Sequence, residues 1–420
     1  MMKKLAIGLL IPIITLCCKG NTPDPEPDPG PDPTPVSEVT AITGSFIQQW
    51  YVQKWSQTDW NKEMSVLSEA GMEYLIFTPL SKDGSDADYA SLERCLSAAK
   101  AKGIKVMVGT NSNTRWWDAS ITSAWLNGQM EEGLAIAREA YKRFKTTYPD
   151  TFYGWYWDWE IDNVNWGNRK QMLADAWNIS LDGLSALDAG MPLLFSPFMN
   201  PSMGTASQYR DFWKSLFPSV HFRKGDIFAP QDCAGGFAMP VSTIKSWLYQ
   251  LSEAAKTLDG LEFWANLENF CQYSVHGENK FATAPFNRIV DQIAGEKAFA
   301  SRLICFAYSH YYSPVLVRED YHKAYLHYLK TGEILEVGKP SRVSSVSQEV
   351  GTGVALRWVI ATKTNVDGFS LYKNGKLLLK LQASENTYPD YFFDYDGKAS
   401  DAYQIATYNI NGVESEKVTF

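Results

Sequence analysis

The stretch Tyr153-Gly-Trp-Tyr-Trp-Asp-Trp-Glu-Ile-Asp162 has the pattern of a strand that ends in carboxylates. Side chains alternate between the two faces of a strand, so its three tryptophans share one face and Tyr156, Asp158 and Glu160 share the other. Apolar rings suit packing against helices, whereas an unpartnered buried carboxylate is costly. We therefore expect the tryptophans to face a helical layer and the carboxylates to face the mouth of a barrel.

The segment from residue 41 to 335 repeats one pattern: a β-rich run, a polar turn and a helical stretch. Its candidate strands cover residues 44–50, 74–79, 105–110, 153–161, 192–197, 226–231, 261–267 and 302–310. Asp59 is expected to cap a helix over residues 60–70, which Gly71 ends. Eight alternating units predict an α/β fold, the (β/α)8 TIM barrel. The alternative, a doubly wound open sheet, lacks a G-x-G-x-x-G turn after its first strand.

A different pattern begins after residues 333–340, where short strands follow one another without helices. Asn374-Gly375 and Asn411-Gly412 are two-residue hairpin signals between alternating runs. Residues 340–420 therefore predict a small all-β immunoglobulin-like sandwich with the look of fibronectin type III modules. We expect it to be a spacer or a docking domain rather than a ligand-binding one.

The N-terminus has the pattern of an export signal. Lys3 and Lys4 precede the apolar run Leu5–Leu16, which is too short to span a bilayer. Residues 1–18 are interpreted as a lipoprotein signal peptide, with Cys18 as the lipidated residue and Cys17 as the second choice. Residues 19–40, rich in Pro and Asp, form a stiff tether. These features predict a lipid-anchored protein of the cell envelope, in the outer membrane, on its outer or its periplasmic side.

The composition excludes several classes of function. Among 420 residues the formal net charge is −8, whereas nucleic-acid binding needs an excess of Lys and Arg. The chain contains no H-E-x-x-H pair, no G-x-S-x-G elbow and no phosphate-binding loop. The spacing of its cysteines matches no zinc or redox motif. No cofactor and no metal site are therefore predicted, and the only membrane contact expected is the lipid anchor.

Catalytic residues of a TIM barrel lie at the C-terminal ends of its strands, so strand ends supply the candidates. Glu160 and Glu268 end the fourth and seventh strands, and two such carboxyls can cleave a glycosidic bond by protonating the leaving oxygen and attacking the sugar or activating water. Trp117 and Trp166 are further candidates for stacking on sugar rings. The expected substrate-binding residues are Gln48, Trp50, Asn111, Trp116, Asp158, Gln231, Asp232, Asn266, His310 and Tyr311.

The motifs Gly44-Ser-Phe-Ile-Gln-Gln-Trp50, Ala229-Pro-Gln-Asp232, Trp264-Ala-Asn-Leu-Glu268 and His310-Tyr-Tyr-Ser-Pro314 resemble one family of bacterial secreted proteins and lipoproteins. It is the domain-of-unknown-function 4434 family, and the resemblance implies a glycoside hydrolase-like barrel without naming a substrate. The two glutamates also resemble those of a large clan of retaining glycosidases. That resemblance implies that Glu160 is the acid/base and Glu268 the nucleophile, although Trp159 stands where the clan usually has Asn.

The first hypothesis is therefore a surface-anchored retaining glycoside hydrolase that acts on a poly- or oligosaccharide. A second hypothesis is a non-catalytic glycan-binding lipoprotein on a glycosidase-like barrel. A third is a structural scaffold in which the sandwich does the docking. Both glutamates are retained in the sequence, which favours the first hypothesis over the second.

Overall fold

The computed structural model of the chain describes residues 40–162 and 165–420. The predicted signal peptide, Cys18 and nearly all of the predicted tether lie outside these residues. Within the described part, no helix combines the length and apolar character needed to cross a membrane. By packing, the chain forms two compact units, one of which holds Glu268–Gln292 and Ala307–Phe420.

Eight short strands form a closed barrel of parallel pairs, which confirms the predicted TIM barrel. Around the barrel the strands follow the order β1-β8-β7-β6-β5-β4-β3-β2. Their bounds are β1 Ile42–Gln48, β2 Tyr74–Thr78, β3 Lys105–Gly109, β4 Phe152–Trp157, β5 Leu193–Phe195, β6 Ile227–Phe228, β7 Glu262–Glu268 and β8 Arg302–Phe306.

Helices follow the strands along the chain, as a parallel barrel requires. Their bounds are α1 Gln49–Val52, α2 Gln57–Glu69, α3 Tyr89–Lys100, α4 Ser123–Phe144, α5 Lys170–Asp188, α6 Ala206–Leu216, α7 Val241–Ala255, α8 Phe286–Glu296, α9 Tyr308–Tyr311 and α10 Asp320–Thr331. The expected cap of α2 was wrong by one turn. Ser56 caps this helix, and Asp59, three residues later, bonds back to the Ser56 backbone in a capping box.

The C-terminal region is the predicted all-β module. One sheet has the order β9-β10-β13 and the other β12-β11-β14-β15. Side chains of both sheets share one apolar core that contains Leu356, Trp358, Phe369 and Ile405, so the sheets pack as a sandwich. The strands are β9 Ser345–Val350, β10 Val354–Val359, β11 Gly368–Lys373, β12 Lys376–Gln382, β13 Tyr391–Asp394, β14 Tyr403–Tyr408 and β15 Val418–Thr419.

A β-hairpin that the sequence did not predict follows Glu268. Its antiparallel strands are Phe270–Val275 and Glu278–Thr283. Val275 is buried in the core of the sandwich, and the backbone N–H of Thr283 donates to the Gln382 side chain at 3.0 Å. The hairpin is therefore held by the sandwich.

Candidate active site

Glu160 lies three residues beyond the end of β4 and is held at two points. The Gln231 side chain donates from Nε2 to Glu160 Oε1 at 3.0 Å. The same Nε2 donates to the Ser196 carbonyl at 2.9 Å, which fixes the amide. The indole Nε1 of Trp116 donates to the backbone carbonyl of Glu160 at 2.6 Å. Contacts from two different loops therefore fix the backbone and the carboxyl group of Glu160.

Burial raises the pKa of the Glu160 carboxyl to about 7. The Gln231 hydrogen bond lowers that pKa and the neighbouring Asp162 carboxylate raises it, but removal from water is the largest cause. A carboxyl group with this pKa is divided between its acid and ionised forms near neutral pH. Glu160 can therefore both donate and accept a proton at that pH, which is the requirement for a general acid/base.

The raised pKa predicts a pH-dependent stability for Glu160→Gln. Below pH 4.5, the ordinary value for Glu, the carboxyl is protonated whether the chain is folded or unfolded. As the pH rises towards 7, the native protein must hold a partly buried charge and its stability falls. The variant escapes this loss, so we expect it to exceed wild type by about 1–3 kcal/mol at pH 8 and by nothing at pH 4.

Urea unfolding at the two pH values measures this difference. The exposed Glu131, on α4, supplies the control Glu131→Gln, for which we expect no such pH-dependent gain. An equal effect of Glu160→Gln at both pH values would contradict the raised pKa.

Asp158 lies two residues before Glu160 on the same face of the chain. The Thr78 hydroxyl, at the end of β2, donates to Asp158 Oδ1, and a backbone hydrogen bond from Thr110 also reaches the carboxyl group. Burial is nevertheless the largest effect and raises the pKa of Asp158 well above its ordinary value. Among the described residues, Oδ2 of Asp158 has no hydrogen-bond partner. The environment of Asp158 therefore favours the protonated form of its carboxyl group, one residue beyond the end of β4.

Gly109, the last residue of β3, makes room for this carboxyl group. Its strand neighbour is Tyr156 of β4, and a Cβ at position 109 would lie 2.6 Å from both Asp158 Oδ2 and Thr78 Oγ1. Carbon atoms do not approach polar atoms this closely without displacing them. Residue 109 is therefore restricted to glycine by the Asp158–Thr78 pair.

Gly109→Ala is expected to lower the free energy of unfolding by about 1–3 kcal/mol, the usual cost of overpacking a filled interior. Chemical denaturation measures the loss. Gly128→Ala on α4 is the matched control, because a Cβ there meets open space and alanine favours helix. A Gly109→Ala protein as stable as wild type would show that Asp158 and Thr78 can move apart freely.

The tryptophans of β4 and the residues after it divide as the alternation predicts. Trp157 packs edge-on against Trp177 of α5, with ring centroids 4.0 Å apart. Trp159 contacts Trp116 at 5.3 Å. On the other face, the Tyr156 ring lies 5.2 Å from Phe46 of β1, across the barrel. The tryptophans thus serve packing around the barrel, and Tyr156 fills its interior.

Two tryptophans expected to stack on sugars are covered by protein instead. Trp116 is 4% exposed and Trp166 is 1% exposed, and their rings lie 4.5 Å apart. Trp50 and Trp117 are only partly buried: Lys82 lies 4.2 Å above the Trp50 ring, and Trp117 contacts Phe198 at 5.9 Å. Of the four tryptophans expected to stack on sugars, Trp50 and Trp117 therefore retain exposed surface.

The strand ends around Gln231 form one hydrogen-bonded group. Gln231 pairs as a β-bridge with Asn266 of β7, and Asn266 Nδ2 donates to Ser196 Oγ at 2.9 Å. Asp232 is fully buried and accepts from the backbone N–H of Ala234 at 3.0 Å. Cys233 has a positive φ of 60°, which turns the chain sharply after Asp232. The ends of β5, β6 and β7 thus meet beside the carboxyl of Glu160.

Two other predicted binding residues are buried at strand ends. Asn111 donates from Nδ2 to the Gln129 carbonyl of α4 at 3.0 Å, so its amide is used to join the strand end to a helix. Gln48 is the last residue of β1 and is 8% exposed. In this structure the Asn111 side chain therefore stabilises the packing of α4 against the strand end.

Glu268, His310 and Tyr311 belong to the unit that contains the sandwich. Glu268 is the last residue of β7 and is 4% exposed, and its carbonyl accepts from Arg288 Nη2 at 2.7 Å. Burial lowers the pKa of the His310 imidazole to about 3, so this ring is neutral at physiological pH. The Tyr311 ring lies 5.6 Å from Phe270 of the hairpin.

The sequence did not predict the residues that support these groups: Thr78, Gly109, Trp116 as the indole donor to the Glu160 carbonyl, and Arg288. Thr78 carried a usable signal, since it is a polar residue at the end of the apolar strand Tyr74–Thr78. Arg288 has no comparable signal in the sequence, because it contacts the start of the hairpin, which was not predicted. None of these contacts joins residues that are close in sequence.

The closed parallel barrel, with polar side chains gathered at the C-terminal ends of its strands, has the architecture of a TIM barrel. The chain belongs to the family described as "Domain of unknown function (DUF4434)", whose model matches residues 42–317. None of the curated proteins matches it.

Several solved structures are similar to this chain at low identity. A Bacteroides thetaiotaomicron protein provisionally assigned as an α-L-fucosidase has a TM-score of 0.57 at 19% identity, covering 71% of this chain and 97% of its own. A family 39 glycoside hydrolase from Bacteroides cellulosilyticus has a TM-score of 0.46 at 11% identity, covering 81% of this chain and 79% of its own. An intracellular xylanase from Thermoanaerobacterium saccharolyticum, bound to xylotriose, has a TM-score of 0.40 at 12% identity, covering 66% of this chain and 88% of its own. The similarity to the Bacteroides thetaiotaomicron protein supports the barrel fold of this chain, and nothing about its activity.

Proposed function

We propose that this chain is a retaining glycoside hydrolase that acts on a poly- or oligosaccharide. The observation that carries the proposal is Glu160: a carboxyl group beyond the C-terminal end of a barrel strand, with its pKa raised to about 7 and its position fixed by Gln231 and Trp116. Carboxyl groups with raised pKa values are typical of the proton donors of glycosidases.

The proposed reaction has two steps. In the first, Glu160 gives its proton to the glycosidic oxygen while the bond from that oxygen to the anomeric carbon breaks, and the Glu268 carboxylate bonds to the same carbon. In the second, water attacks the anomeric carbon, passes a proton to Glu160 and releases Glu268. Each glutamate ends the cycle as it began, and the product keeps the anomeric configuration of the substrate.

The remaining strand-end residues are proposed to bind the sugar. Gln231 has a further role, because its amide donates to Glu160 and therefore orients the acid. The proposed sugar-binding residues are Gln48, Trp50, Asp158, Gln231, Asp232, Asn266, His310 and Tyr311. Asn111 and Trp116, expected at the outset to bind substrate, are proposed to support the site through their bonds to Gln129 and Glu160.

The chain is also proposed to be anchored to the outer membrane by a lipid on Cys18, with residues 19–40 as a tether. The support is the sequence alone: a basic start, a short apolar run and a cysteine at its end. Partition of the full chain into detergent, lost in Cys18→Ser and kept in Cys17→Ser, tests the anchor. Retention in detergent by the Cys18→Ser protein would contradict it.

Release of reducing sugar from a panel of poly- and oligosaccharides tests the activity. We expect at least one member to be cleaved by wild type and by the control Glu131→Gln, whose exposed carboxyl is on α4. Saturable binding to a glycan with no release across the panel would instead support the non-catalytic glycan-binding alternative and contradict the proposal.

A further inference from the structure

The turn of the hairpin places a histidine against the sandwich. His276 and Gly277 connect the two hairpin strands, with φ values of 55° and 73°. The His276 ring lies 5.0 Å from the Tyr395 ring, edge to face. Because Val275 is buried in the sandwich core, the turn is fixed where it meets the end of β13.

Two aspartates converge on this imidazole. His276 Nε2 lies 3.4 Å from Asp394 Oδ1, and Nδ1 lies 3.8 Å from Asp396 Oδ2. Both ring nitrogens are buried, and within the described part of the chain neither has a hydrogen-bond partner. A buried polar atom without a partner needs an explanation, and a bound ion is one of the few available. One donor atom from each of the three residues falls within a 4.8 Å cluster.

The charges around the cluster leave room for a cation. Lys373 bonds to Asp394 Oδ2 at 2.8 Å and to Asp401 at 3.2 Å. Asp394 Oδ2 also accepts from the Tyr403 hydroxyl at 2.6 Å. The pKa of Asp401 is lowered to about 2, chiefly by the Asn374 side chain. Asp394 and Asp401 therefore share one ammonium, and the Asp396 carboxylate lies beside the imidazole, so carboxylates outnumber the ammonium around the cluster.

We infer that His276, Asp394 and Asp396 form a binding site for a divalent cation, and that the cation is Zn2+. Imidazole nitrogen and carboxylate oxygen together are zinc ligands, whereas Ca2+ and Mg2+ take oxygen alone. Asp394 Oδ1 faces the imidazole, because its other oxygen is bonded to Lys373 and Tyr403. Water completes the tetrahedron. The ion joins the hairpin turn to the end of β13, so it fastens the loop that follows Glu268 to the sandwich.

Calorimetric titration of the chelator-treated full chain with ZnCl2 tests the site. We expect one equivalent to bind, and thermal unfolding to move to higher temperature as zinc is added. His276→Ala and Asp396→Asn should each weaken binding at least tenfold. Asp396 is largely exposed, so its substitution keeps the fold intact. His221→Ala is the matched control: His221 also pairs with an aspartate, at 2.9 Å, but both partners are exposed, and its loss should change nothing.

Three results would overturn the inference. One is no zinc uptake by wild type. Another is uptake that survives both His276→Ala and Asp396→Asn, which would place zinc elsewhere in the chain. A third is tighter binding of CaCl2 than of ZnCl2 with no dependence on His276, which would make this a carboxylate site for calcium. None of these measurements requires a substrate, so their results are independent of the proposed glycosidase activity.

Discussion

Glu160→Gln is expected to reduce kcat/KM on an unactivated glycan by roughly 10²–10⁴-fold, the usual contribution of a general acid/base. The amide keeps the size of the side chain and can still meet Gln231, which lies 3.0 Å from the carboxyl, but it has no proton to give at pH 7. Initial rates of reducing-sugar release by the variant and wild type measure the loss. The same residue predicts that wild-type activity falls on the alkaline side, around the Glu160 pKa of about 7.

A comparison of leaving groups separates this chemical role from a structural one. A nitrophenolate departs without protonation, so bond cleavage in an aryl glycoside should be much less impaired in Glu160→Gln than bond cleavage in a glycan. Glu131→Gln should match wild type on both. An equal loss on both substrates by the Glu160 variant would contradict its role as proton donor.

Trp177→Ala is expected to lower the free energy of unfolding by about 3–5 kcal/mol, the cost of emptying a large aromatic site in a packed core. Trp177 of α5 has no exposed surface. Its ring meets Trp157 at 4.0 Å, Phe195 at 4.7 Å and Phe222 at 4.8 Å, so the cavity would open directly behind the strand that leads to Glu160.

Urea denaturation measures this loss, and Trp50→Ala is the matched control. Trp50 is only partly buried, and its ring is covered by the Lys82 side chain, so we expect its loss to cost less than half as much. Equal costs for the two variants would contradict the assignment of Trp177 to the core between barrel and helices.

The barrel strands were predictable because each is a short run of apolar residues bounded by turns. The alternation after Tyr153 also placed its tryptophans and carboxylates on the correct faces. Except for β7, whose end was predicted one residue early, the strand ends were predicted too late in the chain. The strand β6 is only Ile227–Phe228, because the backbone leaves the sheet before the Gln231 bridge. Helix α6 was missed although Thr205 and Gln208 supply a capping box at its start.

The candidate site was predictable only in part. The position of Glu160 follows from its strand, but its pKa depends on burial and on Gln231, which is 71 residues away in the chain. The Asp158–Thr78 pair and the space at Gly109 likewise arise from barrel closure. The hairpin after Glu268 was missed because its strands alternate poorly between polar and apolar residues. Its own Val275 is buried by the sandwich, which comes from the far end of the sequence.

Azide rescue tests the central claim, that Glu160 and Glu268 are the catalytic pair, most directly. Azide is small enough to enter the space left by an alanine and attacks the anomeric carbon without base assistance. With an aryl glycoside, we expect Glu160→Ala to form a glycosyl azide of the same anomeric configuration as the substrate, and Glu268→Ala to form the azide of opposite configuration. Wild-type turnover that persists in both variants, with no azide product in either, would contradict it.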